Sequence, residues 1–359
     1  MKWLPSAMRP KTIVIAAALG ACLGSPSASG AATTVAAADP RIARMGRVVE
    51  APDGALRFAY PGVRLSFSFT GSALSVDASS SGAHSYLEAV IDGGAPRRIK
   101  IGNEKARYQL VDAAAPGPHT VELMHRAETW HGVVTLAGLT TDGVVNPAPV
   151  LPARRMLVLG DSVTCAEAAG ERVGKKDSSW TDPRNSYGML AAQALHAQVH
   201  LVCHGGRGLV RSWNGRVDEL NLPDFYELAI ADAGAPVGWD HALYAPDLIV
   251  SAIGTNDFSP GIPEREAYVA AYVTLVRTLL RNHPQARVVL TEGAILHGPK
   301  KAALRAYIAE TVRRVGDWRV QAVASKHHRG DRQDAHPTGA QHAKMARELV
   351  PQLRKVMGW

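Results

Sequence analysis

The chain has 359 residues, 46% of them hydrophobic and 20% charged. That is enough apolar material for the cores of two ordinary domains, and it excludes a disordered or collagen-like chain. The formal charge of +8 excludes little by itself, because Lys2, Arg9 and Lys11 all precede the first acid, Asp39, and the other basic residues stand singly or in pairs such as Arg97-Arg98 and Lys300-Lys301. A nucleic-acid partner would require a basic stripe with interleaved aromatics, and none is present.

Residues 1–38 read as an export signal and tether. The basic start is followed by an apolar, small-residue stretch from Thr12 to Gly24, too short for a permanent membrane span. Two readings stay open. One is an ordinary signal cut near Ala31 or Ala38. The other is a lipoprotein signal, because Leu19-Gly20-Ala21-Cys22 resembles a bacterial lipobox in which Cys22 carries the lipid anchor.

Residues 39–145 read as a β-sandwich of jelly-roll kind. Leu65, Phe67 and Phe69 alternate with Arg64, Ser66, Ser68 and Thr70, the period of a half-buried strand. Asp92-Gly93-Gly94 is a hairpin signal between Tyr86–Ile91 and Arg97–Ile101. Pro116-Gly117-Pro118 separates the strands around Tyr108–Val111 and His119–His125. Asn146 to Ala153, with three prolines, is the expected linker.

From Arg154 to Trp359 strands and helices alternate, the pattern of a parallel sheet with helices on both faces. The expected strands are 156–159, 199–203, 248–253, 287–292 and 319–324. The expected helices are 187–197, 264–282, 300–315 and 340–357. Cys165 and Cys203 fall on neighbouring elements of such a sheet. They are either a disulfide, which an oxidising compartment permits, or two buried thiols.

Four polar blocks follow strands of this half, and ligands bind such sheets beyond their strand ends. Gly160-Asp161-Ser162-Val163 places a serine at a strand-to-helix turn, where Asp161 can cap the helix. A serine needs an adjacent base, and Asp334-Ala335-His336-Pro337 offers His336 as that base, with Asp334 to orient the ring. Acyl transfer also needs oxyanion donors, for which the backbone N–H groups of Ser162 and Gly206 and the amide of Asn256 are candidates. Taken singly, each block has a plain reading: a capped turn, a loop, an Asx turn, a structural histidine. It is their joint order at strand ends that points to a hydrolase. Asp257 is expected to brace its loop. Arg207, Arg211, Trp213 and Tyr187 are candidates for contacting substrate, as are Trp180 and Trp239.

These blocks resemble those of the SGNH (GDSL) hydrolases over residues 154–357. A finer resemblance is to carbohydrate esterase family 2, in which a jelly roll precedes a flavodoxin-like SGNH domain. It is carried by Gly160-Asp-Ser-Val-Thr-Cys165, Asn185-Ser-Tyr-Gly188, Gly206-Arg-Gly-Leu209, Asp334-Ala-His-Pro337 and His125-Arg-Ala-Glu128. The resemblance implies removal of O-acetyl groups from acetylated carbohydrate, with Ser162 as nucleophile, His336 as base, Gly206 and Asn256 in the oxyanion hole, and no cofactor or metal. Ala335 stands where members of that family often carry Trp. An esterase or acyltransferase for a non-carbohydrate ester, or a glycan-binding lipoprotein without catalysis, are the competing readings.

Overall fold

The computed structural model describes residues 1, 2 and 32–359. The proposed signal sequence and Cys22 lie outside the described residues, apart from Met1, Lys2 and the stretch from Ala32. Residues 32–359 fall within one compact unit.

Alternating burial along Arg64–Gly71 buries Leu65, Phe67 and Phe69 and leaves the polar residues between them at the surface. The same alternation builds two antiparallel sheets. One orders Val49–Glu50, Leu56–Phe58, Val134–Thr141, Leu74–Ser80 and Ala106–Val111, and the other Val144–Val145, Arg64–Gly71, Gly117–His125, Ser85–Ile91 and Arg97–Ile101. The hairpin at Asp92-Gly93 turns with φ of 51° and 67°, the left-handed pair that matches strand twist. Thr33–Ala36 pairs with Gly138–Thr141 and Ala37 is fully buried, so the sandwich begins ahead of Asp39, where the sequence reading ended the tether. A signal cut near Ala31 keeps this strand, and a cut near Ala38 removes it.

The second half is a five-stranded parallel sheet: Ala197–Cys203, Arg154–Gly160, Leu248–Ala252, Arg287–Leu290 and Val320–Ala322, in that spatial order. In chain order this is 2-1-3-4-5, the flavodoxin-like arrangement. Its register decides where the chemistry sits. Gly160 lies level with Cys203 on one side and Ala252 on the other, so the loops that follow all three strands open on one end of the sheet. Helices Tyr187–Ala194, Arg265–Asn282, Gly298–Val315 and Gly339–Met357 pack around it.

The two halves share one interior. Arg47 is 1% exposed and donates to the carbonyls of Tyr226 (2.5 Å) and Leu228 (2.6 Å), while the Tyr60 hydroxyl donates to Phe225 O at 2.6 Å. Arg126 pairs with Glu88 at 2.5 Å and with Asp182 at 2.9 Å, and Arg184 pairs with Glu88 at 2.5 Å and Glu122 at 2.9 Å. Arg126, Glu88 and Asp182 are buried, so separating the halves would leave uncompensated buried charge, which is costly.

Cys165 and Cys203 are joined by a disulfide with Cα atoms 5.6 Å apart, and both are fully buried. It ties the turn after Ser162 to the end of the strand before Gly205. Closing a loop across a separation of 38 residues removes chain entropy from the unfolded state, so replacing both cysteines with alanine is expected to cost about 3–4 kcal/mol. Denaturant unfolding of the oxidised protein beside the double variant checks this; equal midpoints would refute it.

Candidate active site

Ser162 opens a single helical turn, Ser162–Cys165, capped by Asp161, whose carboxylate accepts the Val163 N–H at 3.0 Å. One turn has little macrodipole, so the electrostatics here come from individual N–H groups rather than from a long helix. Burial pushes the Asp161 carboxyl up to about 6. Beneath the turn, Thr164 shares a hydrogen bond of 2.8 Å with the Tyr187 hydroxyl. Tyr187 is therefore a core residue, 3% exposed, and not the substrate contact suggested by the sequence.

The Ser162 hydroxyl lies 2.8 Å from His336 Nε2. On the other side of the ring, Nδ1 meets Asp334 Oδ1 at 2.6 Å, and the His336 backbone N–H donates to the same oxygen at 2.8 Å. Asp334 Oδ2 is paired with Lys176 at 2.6 Å. Burial works to raise the Asp334 carboxyl, but the bonds from His336 and Lys176 outweigh it and hold the group well below the usual carboxylate range. The imidazole thus has an ionised acceptor at Nδ1 and leaves Nε2 for the serine.

The loop that carries His336 is held by close main-chain packing. Gly330 N–H donates to Ala335 O at 2.8 Å, and a Cβ on Gly330 would stand 1.9 Å from Asp334 O. Arg172, on the long loop after Ser162, donates to Ala168 O (2.7 Å) and His336 O (2.6 Å) and pairs with Asp331 at 2.6 Å. Lys176, on the same loop, also binds Glu167 at 2.5 Å. Glu167 stands between two alanines in the left-handed region, Ala166 at φ 63° and Ala168 at 56°, and its other oxygen is 3.5 Å from His336 Nε2. Unfavourable backbone of this kind persists where surrounding contacts over-determine it.

Gly206 takes a φ of 75° in the loop after the strand Ala197–Cys203. A Cβ there would lie 3.0 Å from the Trp213 ring, so both space and conformation call for glycine. Among the described residues the N–H groups of Ser162 and Gly206 enter no backbone hydrogen bond of the turns and loops. The Asn256 amide donates one N–H to Arg207 O at 2.8 Å, which anchors it; an amide carries a second. Asp257 accepts from the N–H groups of Leu209, Val210 and Arg211, the bracing role expected of it. Arg211 is spent on the carbonyls of Asp257 and Gly261, so it supports the loop instead of facing substrate.

These groups open into a cleft of about 540 Å³ whose walls include Trp130, Glu167, His204, Arg207 and Trp213. Trp130 and Trp213 are 59% and 60% exposed. Arg207 pairs with Glu219. Trp180 is buried and Trp239 covers Arg47 at 5.1 Å, so neither reaches the cleft. Sequence reasoning missed Trp130, Glu167, Arg172 and Lys176. Trp130 does stand two residues after the His125-Arg-Ala-Glu128 block, but no periodicity links it to Ser162. Among the described residues no group of three or more His, Cys, Asp or Glu side chains gathers as a metal site, and no helix is long and apolar enough to cross a membrane.

A parallel sheet in 2-1-3-4-5 order, with Ser162 at the end of one strand and His336 brought against it by the loop after the last, is the arrangement of an SGNH-type carboxylic ester hydrolase. Residues 158–344 match the GDSL-like lipase/acylhydrolase family and residues 44–149 the carbohydrate esterase 2 N-terminal family. An acetylxylan esterase / glucomannan deacetylase of Cellvibrio japonicus is 53% identical over 343 residues, which is 95% of this chain and 96% of that protein. The structure of a family two carbohydrate esterase from Cellvibrio japonicus has a TM-score of 0.90 at 54% identity, covering 92% of this chain and 99% of that one. A family two carbohydrate esterase from Clostridium thermocellum, in complex with cellohexaose, has a TM-score of 0.81 at 28% identity over 89% and 99% of the two chains. The chain belongs to carbohydrate esterase family 2.

Proposed function

We propose that this esterase removes O-acetyl groups from β-linked polysaccharides of the xylan or glucomannan type, through an acetyl-enzyme on Ser162. The observation that carries the reading is the 2.8 Å Ser162–His336 contact, set in a cleft between two exposed indoles. Ser162 Oγ attacks the acetyl carbonyl as His336 Nε2 takes its proton. The N–H groups of Ser162, Gly206 and Asn256 meet the oxyanion. Collapse breaks the ester bond, and His336 returns the proton to the leaving sugar oxygen. Water then attacks the acetyl-enzyme by the same route and acetate departs. Asp334 holds the ring tautomer, and Glu167 stands beside Nε2, where the sugar oxygen leaves.

Trp130 and Trp213 are assigned as sugar platforms, because an exposed indole beside a reacting group offers a flat apolar face to a pyranose ring. Arg207 lines the same cleft. The N-terminal leader, as an export signal with Cys22 as its lipid site or its discarded tail, would bring the enzyme to polymeric substrate outside the cytoplasm. The domain division at residues 146–153 is proposed on the same footing.

The test uses residues 32–359 and measures acetate released from acetylated xylan, acetylated glucomannan and p-nitrophenyl acetate. Release from either polysaccharide supports the assignment. Turnover of the aryl ester alone would move the substrate to a different class of ester. Trp130→Ala and Trp213→Ala are each expected to raise KM for polysaccharide about 10-fold more than KM for p-nitrophenyl acetate, the scale of one lost aromatic contact. Equal changes for both substrates would remove the tryptophans from sugar binding.

A further inference from the structure

We propose that Glu128, a side chain of the β-sandwich, is a positioning residue of the oxyanion hole, holding the Gly205-Gly206 loop so that the Gly206 N–H faces the reacting carbonyl. This deepens the reading above and rests on its assignment of Gly206 as an oxyanion donor.

Glu128 follows the sandwich strand Gly117–His125 and is fully buried behind the loop, outside the cleft lining. Its Oε2 accepts the Gly205 N–H at 3.3 Å. The packing is close: a Cβ on Gly205 would stand 3.2 Å from that oxygen and 3.2 Å from the Trp130 indole nitrogen. The next residue, Thr129, donates its hydroxyl to Cys203 O at 2.7 Å. Two consecutive sandwich residues therefore grip the hydrolase chain on either side of His204, one at a carbonyl and one at an amide. Gly206 comes immediately after.

The second Glu128 oxygen has no partner among the described residues. An ionised carboxylate buried with a single N–H donor would be costly. Burial, and then the charges of Glu167 and Asp161, push the group well above the usual carboxylate range. The shift favours the protonated acid, and in either form a carboxyl oxygen is available to accept the Gly205 N–H. The turn that bears it is anchored from the other side, where Arg126 pairs with Glu88 and with Asp182 of the hydrolase half. Both grips act on the geometry of the Gly205-Gly206 loop. The sandwich is in this sense a part of the active site and not an appended binding module.

The experiment compares Glu128→Ala and Glu128→Gln in residues 32–359, with kcat and KM for p-nitrophenyl acetate and thermal melting of each. A misplaced oxyanion donor costs about 10²-fold or more in rate, so E128A should lose roughly that factor in kcat with KM within about threefold. E128Q, which keeps a side-chain oxygen to accept the Gly205 N–H, should recover kcat to within about fivefold of the parent. A folded E128A with unchanged kcat, a loss confined to KM, or E128Q as impaired as E128A would each overturn the proposal. Should E128A fail to fold, Glu128→Asp takes its place: a shortened acid with low kcat beside an active E128Q supports the role, and equal rates refute it. Ser162→Ala in the same assay separates the two levels. If S162A is inactive and E128A is normal, only the role of Glu128 fails; if S162A stays active, the underlying mechanism fails.

Discussion

Replacing Ser162 with alanine is expected to reduce acetate release by about 10⁵- to 10⁶-fold, as for other serine enzymes that lose their nucleophile. Covalent catalysis disappears with the hydroxyl, because His336 Nε2 then has no oxygen to activate. What remains is binding and the oxyanion donors acting on water. The fold should be unaffected: Ser162 is 7% exposed and its side chain contributes one hydrogen bond. Activity within tenfold of the parent at an unchanged melting temperature would eliminate the acetyl-enzyme mechanism.

Asp334→Asn is the second large effect, expected to lower kcat by about 10²- to 10⁴-fold, the upper figure being that of a triad whose histidine is left in the wrong tautomer. An asparagine keeps an acceptor for the His336 backbone N–H, yet it loses both the negative charge at Nδ1 and the ion pair with Lys176. The released Lys176 would still face Glu167, which would shift the balance of charge toward the Nε2 side of the ring. A loss of less than threefold would mean that a Ser162–His336 dyad is sufficient. The variant also has a stability signature with a definite sign. The folded carboxyl of Asp334 is held below its ordinary value of 3.8. Its stabilising contribution is therefore present above that value and is lost as pH falls through the depressed one. The parent should outlast D334N at pH 7, with the gap closing only in strong acid; melting curves across that range read it directly.

Where a local pattern carries the information, reading and structure agree closely. The alternation in Arg64–Gly71 and the Asp92-Gly93 turn encode their own strand and hairpin, because a two-residue period and a left-handed turn are local requirements. The expected helices at 187–197, 264–282, 300–315 and 340–357 differ from those observed only at their ends. Thr33–Ala36 was missed because four residues of small and β-branched type have no period of their own and become a strand only against Gly138–Thr141.

The site divides along the same line. Ser162, Gly206 and Asn256 could be put forward from the sequence because each stands in a short polar block soon after a strand, and parallel register carries such blocks to one end of a sheet, whereas the Asp334–His336 pair follows the last strand, Val320–Ala322, by a loop. The sequence by itself determined those blocks, the two-part architecture and the class of chemistry, since all three rest on residue type and spacing. Only the tertiary structure decided that Tyr187 lies beneath the nucleophile turn, that Arg211 serves its own loop, and that Lys176 and Arg172 clamp the histidine segment. Only it decided, too, that Glu128 and Trp130 reach the hydrolase from the sandwich. Such contacts join residues dozens to more than a hundred positions apart, and their partners are chosen by how whole elements pack, a choice that leaves no periodic trace along the chain.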